Sequence, residues 1–215
     1  MSIVTIRGQL GSGSPEIGKL VAQKIQADYV DREIIAEVAA RLQRREQDVV
    51  EKETPPTSLF GRIAEAISHS GPPIVGAPIT GYYPVHLPAW EMPLADSRYS
   101  QVLKSVIKEL ARSQPIVIRG RGSQFILKDQ PGAIHILIVA PLNLRLRRVM
   151  DSQKMDEETA KKEIARSDSS SREFIKRYFN AELEDPVNYD LVISTKYLSF
   201  EDSASIIVNA IPLRR

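Results

Sequence analysis

Hydrophobic residues along the chain fall into two kinds of pattern. Short continuous runs rich in Ile and Val predict strands buried on both sides, as in a parallel sheet. These runs lie at 3–6, 29–30, 115–120, 133–140 and 189–195. Between them, apolar residues recur every three or four positions, which predicts helices. The helical stretches are 14–27, 31–53, 59–68, 97–113, 141–153 and 155–179, and a last helix begins at Ser199.

Strands that alternate with helices predict one class of fold. Parallel neighbours need crossover connections, which are right-handed and leave helices on both faces of the sheet. We therefore expect an α/β fold of three layers, with a parallel sheet of about five strands in a single domain over residues 1–215. Residues 71–93 contain six of the fourteen prolines and cannot form a long regular element. Residues 32–112 are accordingly expected to form a helical and proline-rich insertion.

Composition excludes several classes of function. The chain of 215 residues is 42% hydrophobic and can bury a core, while 29 basic against 27 acidic side chains argue against nucleic-acid and membrane partners. The absence of cysteine excludes disulfides, thiolate metal sites and cysteine nucleophiles. No apolar segment approaches the roughly 20 residues that span a bilayer, and the first residues do not resemble a signal peptide. We therefore expect a cytoplasmic protein, and the pattern is compatible with a homo-oligomer.

The turn after the first predicted strand is the first candidate site, because ligands of such folds bind beyond the carboxyl ends of the strands. It contains Gly8, Gly11, Ser12, Gly13 and Ser14. Ser14 is suited to the cap of the following helix and Pro15 to its first position. Glycines let the backbone approach an anion, and helix N–H groups attract one. A phosphate site is therefore favoured over the alternative, a tight connection without a ligand.

The glycine spacing of this turn matches a P-loop in part. Gly8 and Gly13 are separated by four residues, as are the two glycines of that motif. Ser14 and Pro15 stand where the lysine and the hydroxyl residue of a P-loop belong. Arg7, directly before Gly8, is a candidate substitute for the lysine.

Several segments, in this order, resemble the cytidylate kinase-like family of P-loop nucleoside monophosphate kinases. They are VTIRGQLGSGSPEIGKLVAQKI, DYVDREII, VIRGRGSQFIL, AIHILIVAPLNLRLRRVM, IARSDSSSREFIKRYF and DPVNYDLVIST. Together they cover nearly the whole chain outside residues 55–97. The resemblance implies a P-loop NTPase-like fold in which residues 32–112 carry a substrate-binding insertion and residues 154–180 a lid. It also implies that the γ-phosphoryl group of ATP, with Mg²⁺, is transferred to CMP, dCMP or a related small acceptor.

The resemblance also implies roles for particular side chains. Phosphoryl transfer depends on positioning and charge neutralisation, so arginines that converge on phosphates carry much of the chemistry. The expected catalytic residues are Arg121, Arg166, Asp168 and Arg172. The acceptor is expected to contact Asp31 and Arg121. The phosphates of ATP are expected to contact Arg7, Gly8, Gly11, Ser12, Gly13, Ser14 and Arg148.

Several of these assignments have a structural alternative. Arg121 is also suited to a surface salt bridge, and Asp31 to the cap of the next helix. Asp168 and Arg172 are four residues apart, so an ordinary ion pair on one helix face explains them nearly as well. Of the three arginines at 145, 147 and 148, at most one is expected to touch a ligand, and Arg148 is favoured.

At three positions the chain lacks a residue that contributes to catalysis in the family's pattern. The P-loop lysine and the hydroxyl after it are absent, and Gly122 stands where cytidylate kinases carry aspartate after a Gly-Arg pair. The alternative function is therefore a catalytically degenerate nucleotide-binding protein that acts as a sensor or interaction module. The three histidines are scattered without the spacing of a metal site, so no metal held by protein ligands alone is expected.

The near-neutral total charge conceals two regions of opposite sign. Residues 117–150 contain six basic and one acidic side chain, a net of +5. Residues 181–202 contain one basic and six acidic side chains, a net of −5. A compact basic region of this size suits a few phosphates better than the extended backbone of DNA or RNA. The charge pattern therefore favours a small-molecule nucleotide as the ligand.

Overall fold

Five parallel strands form one sheet in the computed structural model, which describes residues 2–31, 33–53, 96–113 and 115–213. The strands are β1 (Ile3–Gly8), β2 (Asp28–Val30), β3 (Ile116–Arg119), β4 (Ala133–Val139) and β5 (Leu191–Ser194). Their order across the sheet is β2-β3-β1-β4-β5, and every neighbouring pair is parallel. The predicted α/β class and the predicted number of strands are confirmed.

Helices connect these strands in the described part of the chain. They are α1 (Ser14–Ile25), α2 (Glu33–Leu42), α3 (Glu46–Glu53), α4 (Asp96–Ser113), α5 (Ser123–Ile126), α6 (Leu142–Gln153), α7 (Glu157–Phe179) and α8 (Phe200–Ala210). Short 3-10 turns lie at Pro186–Asn188 and Ile211–Leu213. Among the helices described, none combines the length and the apolar character that crossing a membrane requires.

The sheet is buried between two layers of helices. On one face, α1 and α8 pack against Val4 and Ile6 of β1. On the other face, α2, α3 and α4 pack against Ile3 of β1 and against Ile116 and Ile118 of β3. Successive side chains of β1 thus enter opposite layers, as a strand buried on both faces requires. The described helices of residues 32–112 therefore form one layer of the main core.

A separate pair of helices, α6 and α7, packs beside the sheet. Val149, Ala160 and Ile164 form the apolar cluster between them, and Leu10 from the turn after β1 packs against it. Helix α7 is continuous over 23 residues, so the serine run at 169–171 lies inside a regular helix. The predicted long helical region is therefore one unbroken element.

The start of α1 differs from the prediction that Ser14 is its cap. Gly13 occupies the cap with a φ of 90°, a left-handed conformation that glycine adopts without steric cost. Ser14 is the first helical residue and is buried, so Pro15 occupies the second helical position and not the first as predicted. The prediction was wrong because the tight glycine turn, and not local capping preference, fixes where the helix begins.

The predicted helix over residues 31–53 is divided in two. Gln43 has a left-handed φ of 53°, and the Arg44 N–H donates to the Ala39 carbonyl at 2.9 Å, which closes the end of α2. Helix α3 then begins at Glu46. The helix predicted at 59–68 and the proline-rich segment at 71–93 lie outside the described residues.

The carboxyl edge of the sheet has a crevice between β1 and β3. The two strands are neighbours, with Ile6 in register with Arg119. After β1 the chain continues into α1 on one face, whereas after β3 it passes to the opposite face, where Ile126 and Leu127 pack. Ligands of open α/β sheets bind where successive connections diverge in this way. The turns at 8–14 and 119–123 therefore frame the candidate site.

The turn after β3 holds three successive residues in the left-handed conformation. Gly120, Arg121 and Gly122 have φ values of 78°, 55° and 68°. A Cβ at Gly122 would overlap the ring of Phe179, which stacks on Phe125 with 5.3 Å between ring centroids. A Cβ at Gly120 would point into open space. Packing against α7 therefore requires glycine at position 122, where the family's pattern has aspartate.

Alanine substitutions in this turn should separate backbone strain from packing. Gly120→Ala and Gly122→Ala each place a Cβ in a left-handed conformation, which costs about 1–2 kcal/mol. Only Gly122→Ala also displaces the Phe179 ring, which adds about 1–3 kcal/mol. In urea denaturation, we expect a clearly larger loss in the free energy of unfolding for Gly122→Ala. Equal losses for the two variants would contradict the packing argument.

Candidate functional site

The turn between β1 and α1 is held in a tight conformation by its glycines. Gly11 and Gly13 have φ values of 79° and 90°. A Cβ at Gly11 would lie 2.7 Å from the carbonyl oxygen of Arg145, and a Cβ at Gly8 would overlap the Ser14 side chain. Neighbouring atoms therefore exclude larger side chains from the turn, most of whose residues are buried.

Polar groups of this turn fit an anion. The Ser12 N–H donates to the Gln9 carbonyl and the Ile17 N–H to the Gly13 carbonyl, both at 3.0 Å. The N–H groups of Gly13 and Ser14 form no hydrogen bond with another described residue. The Ser12 hydroxyl is fully buried and has no partner within the described ranges. N–H groups at the start of a helix, beside an unsatisfied hydroxyl, match the acceptor oxygens of a phosphate.

Arg145 of α6 connects this turn to α7. The residue is only 4% exposed, and its Nε donates to the Leu10 carbonyl at 2.7 Å. Its Nη2 donates to both carboxylate oxygens of Asp168 on α7, at 2.7 and 2.9 Å. Charge-assisted hydrogen bonds of this length, in a buried setting, are strong and directional. The position of the turn and the position of the lid-like helix are therefore coupled through one guanidinium group.

Arg148, three residues further along α6, supports the same turn. Its Nη1 donates to the carbonyls of Gly11 and Ser12, both at 3.3 Å, and to the Thr195 hydroxyl at 2.9 Å. The guanidinium lies 4.9 Å from the centre of the Phe200 ring, and burial lowers its pKa. Arg148 therefore shapes the turn through its carbonyl groups. Its predicted contact with the phosphates of ATP stays a prediction.

The three residues expected to act from the lid face different directions along α7. Asp168 binds α6 and does not pair with Arg172, so the ion pair considered within α7 is absent from the described structure. Arg172 is half-exposed and donates to Glu184 at 3.3 Å. Arg166 is exposed and donates to Glu163, and this pairing raises the pKa of Arg166. Catalytic roles for all three stay predictions.

A cavity of about 260 Å³ lies beside the turn after β3. One side of α7 forms a wall of the cavity, and Ile35 of α2 and Val50 of α3 contribute apolar surface opposite to it. Its charged and polar lining consists of Arg7, Arg121, Arg166, Ser167, Ser170, Ser171 and one carboxylate, Glu163, which is paired with Arg166. Phe174 adds an aromatic face. Cations, hydroxyls and an aromatic ring in one cavity are suited to a phosphorylated ligand that carries a ring.

Asp31, expected to contact the acceptor, is paired with Arg119. The Nε and Nη2 atoms of Arg119 donate to one carboxylate oxygen of Asp31 at 2.9 and 2.7 Å. The Asp31 N–H donates to the Glu33 side chain at 2.9 Å. This pair joins the carboxyl ends of β2 and β3, so Asp31 has a structural role, and its contact with the acceptor stays a prediction.

The described side chains fit the phosphates of a nucleotide better than they fit a metal ion. Within the described residues, no three His, Asp or Glu side chains cluster in a way that could hold a metal. The carboxylates of Asp31 and Asp168 are each bound by an arginine. Ser14, near the position of the P-loop hydroxyl, is 1% exposed. No described side chain is therefore assigned to Mg²⁺.

Comparison with known proteins identifies the family. The model of the cytidylate kinase-like family matches residues 3–197, which include the glycine turn, the turn after β3 and all of α7. The chain belongs to the cytidylate kinase-like family. The resemblance inferred from the sequence is thereby confirmed.

The curated relatives match over different lengths. A cytidylate kinase from Methanococcus aeolicus is 24% identical over 216 residues, which is 97% of each chain. A cytidylate kinase from Sulfolobus acidocaldarius is 36% identical over 78 residues, or 36% of this chain and 43% of that protein. A uronate isomerase from Corynebacterium glutamicum is 32% identical over 92 residues, or 43% of this chain. This chain covers less than half of the last two, with 18% of the isomerase matched.

A solved structure supports the fold independently. The chain is similar to the crystal structure of an uncharacterized protein from Eubacterium ventriosum, with a TM-score of 0.68 at 19% identity over 100% of both chains. This likeness concerns the arrangement of the strands and helices.

Sequence reasoning did not single out Arg145 or Thr195 as residues that shape the site. Arg145, Arg147 and Arg148 follow one another closely on α6, and no local signal separates the buried Arg145 from the exposed Arg147 or the partly buried Arg148. A partial signal was available in Leu10, since an apolar residue inside a glycine turn indicates that the turn packs against another element. The Thr195 hydroxyl donates to the Ser12 carbonyl at 2.8 Å, which no spacing in the sequence indicates.

Removal of Asp168 should test the coupling between the turn and α7. Asp168→Ala leaves the Arg145 guanidinium buried without its carboxylate, and such a loss costs about 3–5 kcal/mol. Arg172→Ala, which removes a half-exposed pair with Glu184, should cost less than about 1 kcal/mol. Urea denaturation measures both. A similar small loss for the two variants would show that the Arg145–Asp168 pair does not hold the structure together.

Proposed function

We propose that this protein is a nucleoside monophosphate kinase-like phosphotransferase that transfers the γ-phosphoryl group of ATP to CMP, dCMP or a related small acceptor. The observation that carries the proposal is the placing of two sites at one edge of the sheet. The glycine turn at 8–14 follows β1, and the arginine-lined cavity lies beside the turn that follows the neighbouring strand β3. Family membership supports the reaction type, and the relatives named cytidylate kinase support CMP as the acceptor.

The reaction needs little covalent chemistry from the protein. An oxygen of the acceptor's phosphate attacks the γ-phosphorus, a new P–O bond forms, and the bond from the γ-phosphorus to the bridging oxygen breaks to release ADP. The second pKa of a phosphate monoester is about 6, so the attacking oxygen is already anionic at neutral pH and no side chain must remove a proton. Catalysis then consists of alignment and neutralisation of charge.

Alignment and neutralisation of charge are carried out by different residues of the site. The N–H groups at the start of α1 and the Ser12 hydroxyl bind the phosphates of ATP. Arg121 and Arg166 approach the acceptor and the transferred group from the cavity. Helix α7 acts as the lid that excludes water, and the hydrogen bonds of Arg145 link the position of α7 to that of the glycine turn. Mg²⁺ would accompany ATP, as is usual for kinases, and would neutralise part of the charge on its phosphates.

A second function is favoured by two specific observations. Ser14, which stands in place of the P-loop lysine, is buried, and Arg172 pairs with Glu184 instead of lining the cavity. Both features suit a catalytically degenerate protein that binds a nucleotide as a sensor or interaction module. The partner is a small nucleotide under either function, and a cytoplasmic location stays a prediction.

An ATP-dependent assay separates the two functions. CMP, dCMP, UMP and AMP are each supplied with MgATP at high protein concentration, and ADP release and the diphosphate product are measured. The kinase proposal expects ADP to form in proportion to a nucleoside diphosphate, with CMP or dCMP the best acceptor. Binding of ATP with no acceptor-dependent ADP release would exclude the kinase and leave the degenerate protein.

Gly11→Ala should impair the binding of ATP through the backbone. The added Cβ lies against the Arg145 backbone, which cannot yield as a flexible side chain could, so the turn must change shape. We expect the affinity for ATP to fall by about 100-fold, since misplacement by about 1 Å has effects of this order. Lys19→Ala, at an exposed position of α1, is the control and should change ATP affinity less than twofold. Retained ATP affinity in Gly11→Ala would remove the turn from the proposal.

A further inference from the structure

Arg7 is a cation whose charge is not balanced by the described residues. It forms no ion pair with any of them. The charged and polar groups that shift the pKa of Arg7 are Tyr189, Arg119, Arg121 and Asp168. Burial above all, together with the charges of Arg119 and Arg121, lowers the pKa of Arg7 to about 10. The group is still protonated at neutral pH, so a positive charge is kept at this place against its solvation cost.

Neither of the two groups that raise the pKa of Arg7 is available as its counter-charge, and Glu163, which lines the same cavity, is paired with Arg166. Burial raises the pKa of Tyr189 to about 12, so its hydroxyl is neutral at physiological pH. That hydroxyl donates to the Leu183 carbonyl at 2.6 Å. Both carboxylate oxygens of Asp168 accept hydrogen bonds from Arg145. The charge of Arg7 is therefore left for a ligand.

The side chain of Arg7 lies on the opposite side of β1 from α1. Successive residues of a strand point to opposite faces, and the preceding residue, Ile6, packs in the cluster formed with α1 and α8. Arg7 accordingly points to the face of α2 and α4, where it lines the cavity together with Arg121. The glycine turn at 8–14 runs to α1 on the other face and contributes no residue to that lining.

We propose that Arg7, together with Arg121, binds the phosphate group of the acceptor and does not take the place of the missing P-loop lysine at the phosphates of ATP. This inference rests on the proposed function, and it assigns to the cavity a ligand class, a phosphate monoester dianion. Two guanidinium groups can donate several charge-assisted hydrogen bonds to one such dianion. Phe174 and the serines at 167, 170 and 171 offer an aromatic face and hydroxyls to the rest of the molecule.

The test compares ligands with and without the acceptor's phosphate. Binding of CMP, cytidine and ATP is measured by isothermal titration calorimetry for the wild type, Arg7→Met, Arg7→Lys and the control Arg147→Ala, an exposed arginine of α6 outside the cavity. Arg7→Met keeps an apolar side chain of similar length and removes a desolvated charge. Its thermal midpoint should therefore not fall below that of the wild type, which separates lost binding from lost folding.

The expected result is a loss confined to the phosphorylated acceptor. Arg7→Met should weaken CMP binding by about 10- to 100-fold, the usual value of hydrogen bonds to a charged group. Cytidine binding should be unchanged in Arg7→Met, and ATP binding should change less than about twofold. The CMP affinity of Arg7→Lys should lie between those of Arg7→Met and the wild type, because lysine keeps the charge but not the planar guanidinium group. Weakened ATP binding with unchanged CMP binding would overturn the proposal and place Arg7 at the donor.

Failure of the proposed function is distinguished from failure of this inference. If wild-type protein binds none of CMP, dCMP, UMP or AMP, the nucleoside monophosphate kinase proposal fails. Inorganic phosphate then serves as the probe of the anion site in the same variants. Phosphate binding that is lost in Arg7→Met and kept in Arg147→Ala supports a phosphate site at Arg7, whereas no dependence on Arg7 overturns it.

Discussion

The buried guanidinium of Arg145 is the interaction on which the rest of the site depends. It is held between the Leu10 carbonyl of the glycine turn and the Asp168 carboxylate of α7, and Leu10 also packs in the apolar cluster between α6 and α7. A charge in this setting is stable only while both partners are in place. The turn proposed to bind the phosphates of ATP and the helix proposed as the lid are thus joined by one side chain, so displacement of either strains the other.

The arginines around the site form two groups, one that holds the framework and one that lines the cavity. Arg145 and Arg148 donate to backbone carbonyls of the glycine turn, and Arg119 is paired with Asp31. These three arginines hold the framework. Arg7 and Arg121 line the cavity, where the described residues give Arg7 no anion to pair with. The arginines of the site therefore separate into those that hold its framework and those that line the cavity and are proposed to bind a ligand.

The strands that are buried on both faces of the sheet were predictable from the sequence. The continuous apolar runs of β1, β3 and β4 were predictable as strands because they are rich in Ile and Val and are shorter than an ordinary helix. The cap of α1 was not predictable from propensity: Ser14 is a good cap, but Gly13 takes the position because the turn needs a left-handed residue there.

The candidate site was predictable only where it lies in local motifs. The glycine turn and Arg121 follow from their places after β1 and β3. The partner of Asp168 did not follow, because helical spacing brings Arg172 near in sequence while packing brings Arg145 from another helix. The direction of Arg7 also required the sheet, since only the cluster around Ile6 shows which face its side chain points to.

One measurement tests the central claim that donor and acceptor phosphates are held by different groups at one sheet edge. It is a crystal structure of the protein with CMP and a non-hydrolysable ATP analogue. The account predicts that the analogue's phosphates lie against the N–H groups of the turn at 8–14 and that the CMP phosphate lies within hydrogen-bonding distance of Arg7 and Arg121. Arg7 bound to the phosphates of the ATP analogue, or CMP outside the cavity beside α7, would contradict it.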